Sequence, residues 1–410
     1  RCRVRSLKQA ATMIPPTQLA TRKSITVFAA VLLVSMSLLV QGTFAGSVVT
    51  ERVSISSEGV EGDNTSITPS VSADGRYIAF ASLASNLVPG DTNSYQDIFV
   101  HDWVNDTTER VSIGLNGAEP NGDSVYPAIS ADGNFVAFSS RASNLVATDT
   151  NGFEDVFVYD RSSDVTERVS VTATGGQAFA DSYEPAISSD GRYVAFVSLA
   201  TNLVAGATDG VEEIYYFDRT DRTLQWVSGP SDPTGEKFAT SEIAMSPDGL
   251  WVAFSSSKTN LVPGDDNGFR DIFLWNRNTD FMERVSVSYL DQQASSLSYH
   301  PAVSADGRYV AFRSHADDLV LYDGNDSADI FIRDRQMGTT QRISVPIDGV
   351  EPMFEINDEP VISADGRFVA FRSTFNNLVS DDTNGYDDVF VWDRQGSITR
   401  VSVDSENTQA

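Results

Sequence analysis

The chain has 410 residues, 41% of them hydrophobic, and a formal net charge of −28. That apolar share supports a large core, whereas the acid excess excludes nucleic acid and anionic membrane surfaces as partners, since both require a basic face. A single cysteine, Cys2, excludes a disulfide framework.

Residues 1–45 hold Arg1, Arg3, Arg5, Lys8, Arg22 and Lys23 and no acid, followed by the apolar run ITVFAAVLLVSMSLLV (25–40) and the small residues Thr43 and Ala45. This order reads as a secretory signal cleaved after Ala45, with Met13 as the expected start and an upstream extension before it. The run is shorter than the roughly 20 residues of a spanning helix, so no membrane insertion is expected after cleavage. The exported remainder has 23 basic against 57 acidic residues, a net charge of −34. Its expected location is the periplasm, the extracellular space or the cell surface.

From residue 46 two phrases alternate. SADGRYIAF (72–80) returns as SADGNFVAF (130–138), SSDGRYVAF (188–196), SPDGLWVAF (246–254), SADGRYVAF (304–312) and SADGRFVAF (363–371). ERVS and its variants place Val53, Val111, Val169, Val227, Val285, Ile343 and Val401 at a constant spacing of 58. Residues 46–405 therefore read as six 58-residue repeats with a tail over 406–410.

In the first repeat, strands are predicted near 67–72, 76–82, 97–103 and 108–113. Asp74-Gly75 supplies the tight reversal between the first two. YIAF is apolar on both faces, so the second strand must be covered on both sides. The charged start of the fourth strand is expected on an exposed edge. Six such units make an all-β fold, a six-bladed β-propeller of four-stranded antiparallel blades; the rungs of an open solenoid are much shorter. The fourth-strand phrase occurs seven times and the others six, so residues 51–55 and 399–403 compete to complete the last blade, and the N-terminal copy is expected to do so.

The pattern S-x-D-G-[RNL]-[YFW]-[IV]-A-F followed by [DE]-[IV]-[FY]-[VLIY]-x-[DN] resembles the WD40-like (PD40) repeat of the TolB family of exported six-bladed propellers, over residues 51–403. The resemblance implies an exported propeller whose relatives mostly bind proteins. The family's S-P-D-G stands here only at Ser246-Pro247-Asp248-Gly249, and nothing between 46 and 60 resembles TolB's N-terminal α/β domain.

Two constellations carry candidate chemistry. The loop after the second strand repeats D-x-N-x-x-x-D as Asp91, Asn93, Asp97; Asp149, Asn151, Asp155; Asp265, Asn267, Asp271; Asp323, Asn325, Asp329; and Asp382, Asn384, Asp388, while the third repeat has Ala207, Asp209 and Glu213. Oxygen ligands at positions one and three resemble the opening of a calcium loop, although the glycine at six is absent; Asx turns are the plain alternative. The second constellation lies where near-identical repeats disagree: Thr68, Tyr126, Glu184, Glu242, His300 and Glu359, beside Tyr183, Tyr299 and Asp358. On the innermost strands these residues ring one channel mouth and can hold a cation or a basic or sugar-like ligand, with crowded carboxylates raising one another's pKa; drift at a solvated rim is the alternative.

Nucleophilic catalysis lacks a G-x-S-x-G elbow and has only His101, His300 and His315 as bases. His101 is expected to pack in a strand and His315 to lie in a solvated loop. The Asp-Arg pairs at 160–161, 218–219, 334–335 and 393–394 read as turn pairing. The leading expectation is a monomeric, exported, non-catalytic propeller binding a protein or polysaccharide ligand at the channel mouth. The alternatives are a secreted hydrolase or lyase using Glu184, Glu242, His300 and Glu359, and a structural repeat protein of the cell surface.

Overall fold

The same turn organises every blade. Ser72 Oγ donates to Asp74 Oδ1 (2.7 Å) and accepts from Tyr77 N (2.9 Å), Asp74 Oδ1 accepts from Arg76 N (3.0 Å), and Gly75 takes φ 74°. Ser130–Asp132, Ser188–Asp190, Ser246–Asp248, Ser304–Asp306 and Ser363–Asp365 repeat the serine–aspartate bond. The computed structural model describes residues 50–207, 210–229, 240–325, 327–350, 352, 357–404 and 408. The predicted signal segment and Asp209 lie outside them.

Each turn opens a four-stranded antiparallel sheet in simple sequential order. Blade 1 consists of Ser66–Val71, Tyr77–Ser82, Asp97–Asp102 and Thr107–Arg110. The fourth strand is shorter than predicted because Val111 N still donates to Ile98 O, whereas Ile113 N turns back onto Val111 O. Five further sheets follow this plan, confirming an all-β, six-bladed propeller.

Both faces of the second strand are covered, as its apolar run requires. Ala79, Ala81, Ile98 and Val100 of blade 1 pack with Ile129, Val136, Phe138 and Phe157 of blade 2, and equivalent clusters join blades 2 to 3, 3 to 4, 4 to 5 and 5 to 6. Burying each large side chain contributes about 1.5–3 kcal/mol. No sheet has enough faces to do this alone.

The chain ends correct one expectation. The sixth sheet is completed by its own segment, with Asn357–Ile362, Phe368–Ser373, Asp388–Asp393 and Ser397–Arg400. Residues 51–55 are not its outer strand. Val53 instead packs on Ile78, Phe80, Ala84, Leu87 and Phe99 of blade 1, as Val111 does on Val136, Phe138, Ala142, Leu145 and Phe157 of blade 2. The seventh phrase keeps its covering valine without joining a sheet, and Thr50 Oγ1 donates to Val403 O (2.6 Å) between the chain ends.

Candidate functional site

The first strand of every blade breaks register once, between Ile67 and Ser70, Val125 and Ala128, Tyr183 and Ala186, Ser241 and Ala244, Tyr299 and Ala302, and Asp358 and Val361. Within these bulges Thr68, Tyr126, Glu184, Glu242, His300 and Glu359 all take left-handed backbone, with φ between 49° and 60°. Each non-glycine residue held there costs about 1–3 kcal/mol. Such a bulge re-aims a side chain out of the ladder, and proline follows in five blades because no ladder donor is needed there.

First strands of successive blades lie side by side, so the predicted ring residues meet. Glu242 N donates to Glu184 Oε2 (3.4 Å) and His300 N to Glu242 Oε2 (2.8 Å). The His300 imidazole stands between two carboxylates, Nδ1 at 2.6 Å from Asp358 Oδ1 and Nε2 at 3.4 Å from Glu242 Oε1. Glu359 N donates to Asp358 Oδ1 (3.0 Å), and the Tyr183 hydroxyl donates to Glu212 Oε1 (2.7 Å). Tyr126 is half-exposed beside the Glu184 charge.

Sequence reading missed the arginines of this mouth. Arg270 lies 3.6 Å from Glu242 and Arg313 3.5 Å from Asp358, both over the Tyr299 ring. Arg372 bridges Asp358 (3.4 Å) and Asp387 (3.1 Å), and Arg141 pairs with Glu154 and Asp181, both at 3.1 Å. Their signal was the one that found the ring. Arg313 and Arg372 stand where other repeats carry Ala81, Ser139, Val197 and Ser255.

The charges tune one another. Burial, then the carboxylates of Glu242 and Glu212, push the Glu184 carboxyl up against the opposing Glu242 N–H. For His300 burial disfavours the cation, but the Asp358 hydrogen bond and the Glu242 charge outweigh it and raise the imidazole above its usual value. Burial would raise Asp358, yet His300 and Arg313 hold it down at about 2. Burial and Glu212 raise the Tyr183 phenol, keeping it a donor.

The D-x-N loops resolve differently. Asn93, Asn151, Asn267, Asn325 and Asn384 each accept, through Oδ1, the N–H two residues on, at 2.8–3.2 Å. These are Asx turns. Between the two carboxylates of each loop stands the arginine of the fourth-strand phrase: Arg110 with Asp91 and Asp97, Arg168 with Asp149 and Asp155, Arg284 with Asp265 and Asp271, Arg342 with Asp323 and Asp329, and Arg400 with Asp382 and Asp388, all within 2.7–3.9 Å. A divalent cation here would have to displace a guanidinium, so these residues fit calcium poorly. The expected edge decoration holds in part: the fourth strand is the sheet edge and the Glu109 side chain is 50% exposed, but the arginine turns inward, Arg168 and Arg400 being 7% exposed. Burial raises Asp97 and Asp155, and takes Asp271 to about 7 and Asp329 to about 6.

Blade 3 solves the same problem with other residues. Trp226 replaces the arginine and Ala207 the first aspartate, and Lys258 of blade 4 pairs with Glu213, both at most 2% exposed. Lys258 Nζ also donates to Ser228 O (2.9 Å).

The remaining histidines stand as expected or nearly so. His101 is 1% exposed, with Nδ1 2.9 Å from Thr108 Oγ1, and burial lowers its pKa. His315 is exposed on its loop as expected, edge-on to the Tyr299 ring and beside Arg313. The arginines of the Asp-Arg pairs join two blades: Arg161 bonds Glu109 of the preceding blade and Gly133 O of its own, and Arg219 bonds Glu167 of the preceding blade and Gly191 O of its own.

Sheet order, blade number and an axial mouth define the class as a six-bladed β-propeller with a polar, mixed-charge channel entrance. No protein-family model and no curated protein sequence matches the chain. Among solved structures, the β-propeller domain of the trilobed protease from Pyrococcus furiosus is 16% identical with a TM-score of 0.52, over 83% of each chain. Acylaminoacyl peptidase in complex with Z-Gly-Gly-Phe-chloromethyl ketone is 15% identical with a TM-score of 0.50, over 82% of this chain and 46% of that one. TolB from Acinetobacter baumannii is 19% identical with a TM-score of 0.40, over 68% of this chain and 54% of that one. The present chain thus spans about half the length of these last two proteins. At such identities the likeness is one of fold. Among the described residues no helix is long and apolar enough to cross a membrane.

Proposed function

We propose that the chain is an exported, non-catalytic propeller that binds a protein or polysaccharide ligand at its channel mouth. The supporting observation is the sixfold left-handed bulge: one strained backbone geometry recurs in every blade, while the side chain it presents changes from Thr68 to Tyr126, Glu184, Glu242, His300 and Glu359. Positions that hold the fold, such as the Ser-x-Asp-Gly turn, repeat their residue. Positions that meet a ligand have no reason to. Tyrosine rings and carboxylates of the mouth offer the stacking and hydrogen-bonding groups that a polar polymer requires.

A second reading, a hydrolase or lyase, draws on His300 between Glu242 and Asp358 and on the raised carboxyl of Glu184 as base and acid. One experiment separates the two. Peptide and polysaccharide arrays are probed with the wild type and with a Glu184→Gln/Glu242→Gln double variant, and captured ligands are then incubated with each protein. The binding reading expects capture by the wild type, at least tenfold weaker capture by the variant, and intact ligand. Cleavage abolished by the same substitutions establishes the enzyme. Capture indifferent to them removes the mouth from the function.

A further inference from the structure

The fifth blade differs from the others at its rim. The connection entering it meets its own loop between the second and third strands through Tyr289 N to Asp318 O (2.9 Å), as Leu115 N to Asn144 O (2.8 Å) joins the same two loops in blade 2. In blade 2, Leu115, Asn116 and Ala147 line one groove. Three repeats later the equivalent residues are Tyr289, Leu290 and Leu321, with Tyr322 following. Their exposures are 51%, 65%, 61% and 95%. The same four positions hold Ser57, Glu58, Pro89 and Gly90 in blade 1, Ala173, Thr174, Ala205 and Gly206 in blade 3, and Ile347, Asp348, Ser380 and Asp381 in blade 6. One blade has exchanged small and polar residues for four large apolar ones.

Tyr322 makes the exchange informative. It stands where blades 1, 3 and 4 have Gly90, Gly206 and Gly264, and it keeps their left-handed backbone at φ 68°. A bulky side chain is strained there. At 95% exposure, packing within the chain does not offset that strain. Clustered exposed apolar residues with a polar border mark an interaction surface.

We propose that Tyr289, Leu290, Leu321 and Tyr322 form a docking surface, separate from the channel mouth, for a protein patch with an apolar centre and a basic border. Charge selects this occupant. Asp317 and Asp318 border the surface, bonded to Ser295 at 2.7 and 2.9 Å, while Asp291, next to Leu290 in the chain, is paired with Arg333 at 3.0 Å. The whole chain carries −28. A second copy would set two acidic borders face to face, and an anionic bilayer is repelled for the same reason, whereas a basic border is attracted.

The test uses the full chain and two fluorescent amphipathic helical peptides, one of leucine and lysine, the other of leucine and glutamate. Anisotropy titrations should show the lysine peptide binding at least tenfold more tightly than the glutamate peptide, with affinity falling as salt rises. A Leu290→Ser/Tyr322→Gly variant should bind the lysine peptide at least tenfold more weakly, while melting no lower than wild type because glycine relieves the strain at 322. Leu290→Ser alone should give a partial loss, which keeps the test open should the double variant fold poorly. Absence of binding, equal binding by the variants, or preference for the glutamate peptide overturns the proposal. So does a concentration-dependent dimer in sedimentation that the variants abolish.

Discussion

The ring of Tyr77 in blade 1 lies against Gly133 of blade 2, its Cδ2 only 2.1 Å from where a β-carbon on that glycine would stand. Phe135 meets Gly191, Tyr193 meets Gly249, Trp251 meets Gly307 and Tyr309 meets Gly366 in the same way, at 2.1–2.6 Å. Glycine is therefore required twice, by a φ of 75° at Gly133 and by the neighbouring blade. This accounts for the aromatic residue two positions after the glycine in blades 1 to 5: the turns of blades 2 to 6 each seat the ring of the blade before. Arg161 covers the Tyr77 ring at 4.4 Å and completes the joint.

Gly133→Ala should lower unfolding stability by about 3 kcal/mol, the sum of backbone strain and overpacking. Gly152 has the same sign of φ, 74°, with nothing within 4 Å of its virtual β-carbon, so Gly152→Ala should cost only about 1 kcal/mol. Urea unfolding of both variants checks this. Equal losses would show that the contact between blades is not the reason for the glycine.

Blade number, strand order and the Asp-Gly reversal were legible because each is written by local chemistry and repeated. The bulges were not, because a left-handed residue is readable only when it is glycine, and here it is Thr68, Tyr126 or Glu184. Nor was the partner of the loop carboxylates. Arg110 meets Asp91 from 19 residues away through sheet register rather than through any spacing motif. A trace did exist: blade 3 loses Arg and Asp together, at Trp226 and Ala207, and gains Lys258 where four other blades have alanine. Covariation among repeats within one chain carried information that a search for metal-ligand spacing passed over.

That exchange makes Lys258 a sensitive site. Lys258→Met leaves Glu213 buried with no cation and should destabilise by about 3–5 kcal/mol near neutral pH. Burial already raises the Glu213 carboxyl. A carboxyl raised in the folded state favours folding below its unfolded value and loses that contribution as pH rises through the folded one, so the deficit of the variant should shrink toward pH 5. Thermal melts at pH 5 and pH 8 measure it. A deficit independent of pH would show that Lys258 does not stabilise the charged form of the Glu213 carboxyl.

Five loops that carry their own guanidinium should not depend on calcium. Melting temperature is expected to be equal in millimolar calcium and in chelator, whereas a saturable rise would mean preferential binding to the folded state and return these loops to metal chemistry. Arg284→Gln should then cost about 3 kcal/mol at pH 8 by leaving Asp265 and Asp271 facing each other. The Asp271 carboxyl, raised by burial to about 7 from 3.8, should take up a proton and soften that loss as pH falls from 8 toward 5. Calcium rescue of this variant alone would show the arginine standing in for the ion.

At the mouth, His300 ties blade 5 to Glu242 of blade 4 and Asp358 of blade 6, with Arg313 and Arg270 as the nearby cations. Its raised folded value means that the clamp contributes fully below 6.5, the unfolded value, and is lost as pH rises through the higher folded one. Asp358, held at about 2, sets the opposite limit, and its contribution is present above 3.8 and lost as pH falls toward 2. The clamp is therefore strongest between about pH 4 and pH 6.5. His300→Asn, chosen because asparagine tolerates left-handed backbone, should cost about 1 kcal/mol at pH 6 and less at pH 9, the low end for a charged hydrogen bond because the imidazole is 34% exposed. Urea unfolding at the two pH values reads the difference. Equal losses would mean that folding does not shift the imidazole's titration and that its place between the carboxylates rests on packing alone.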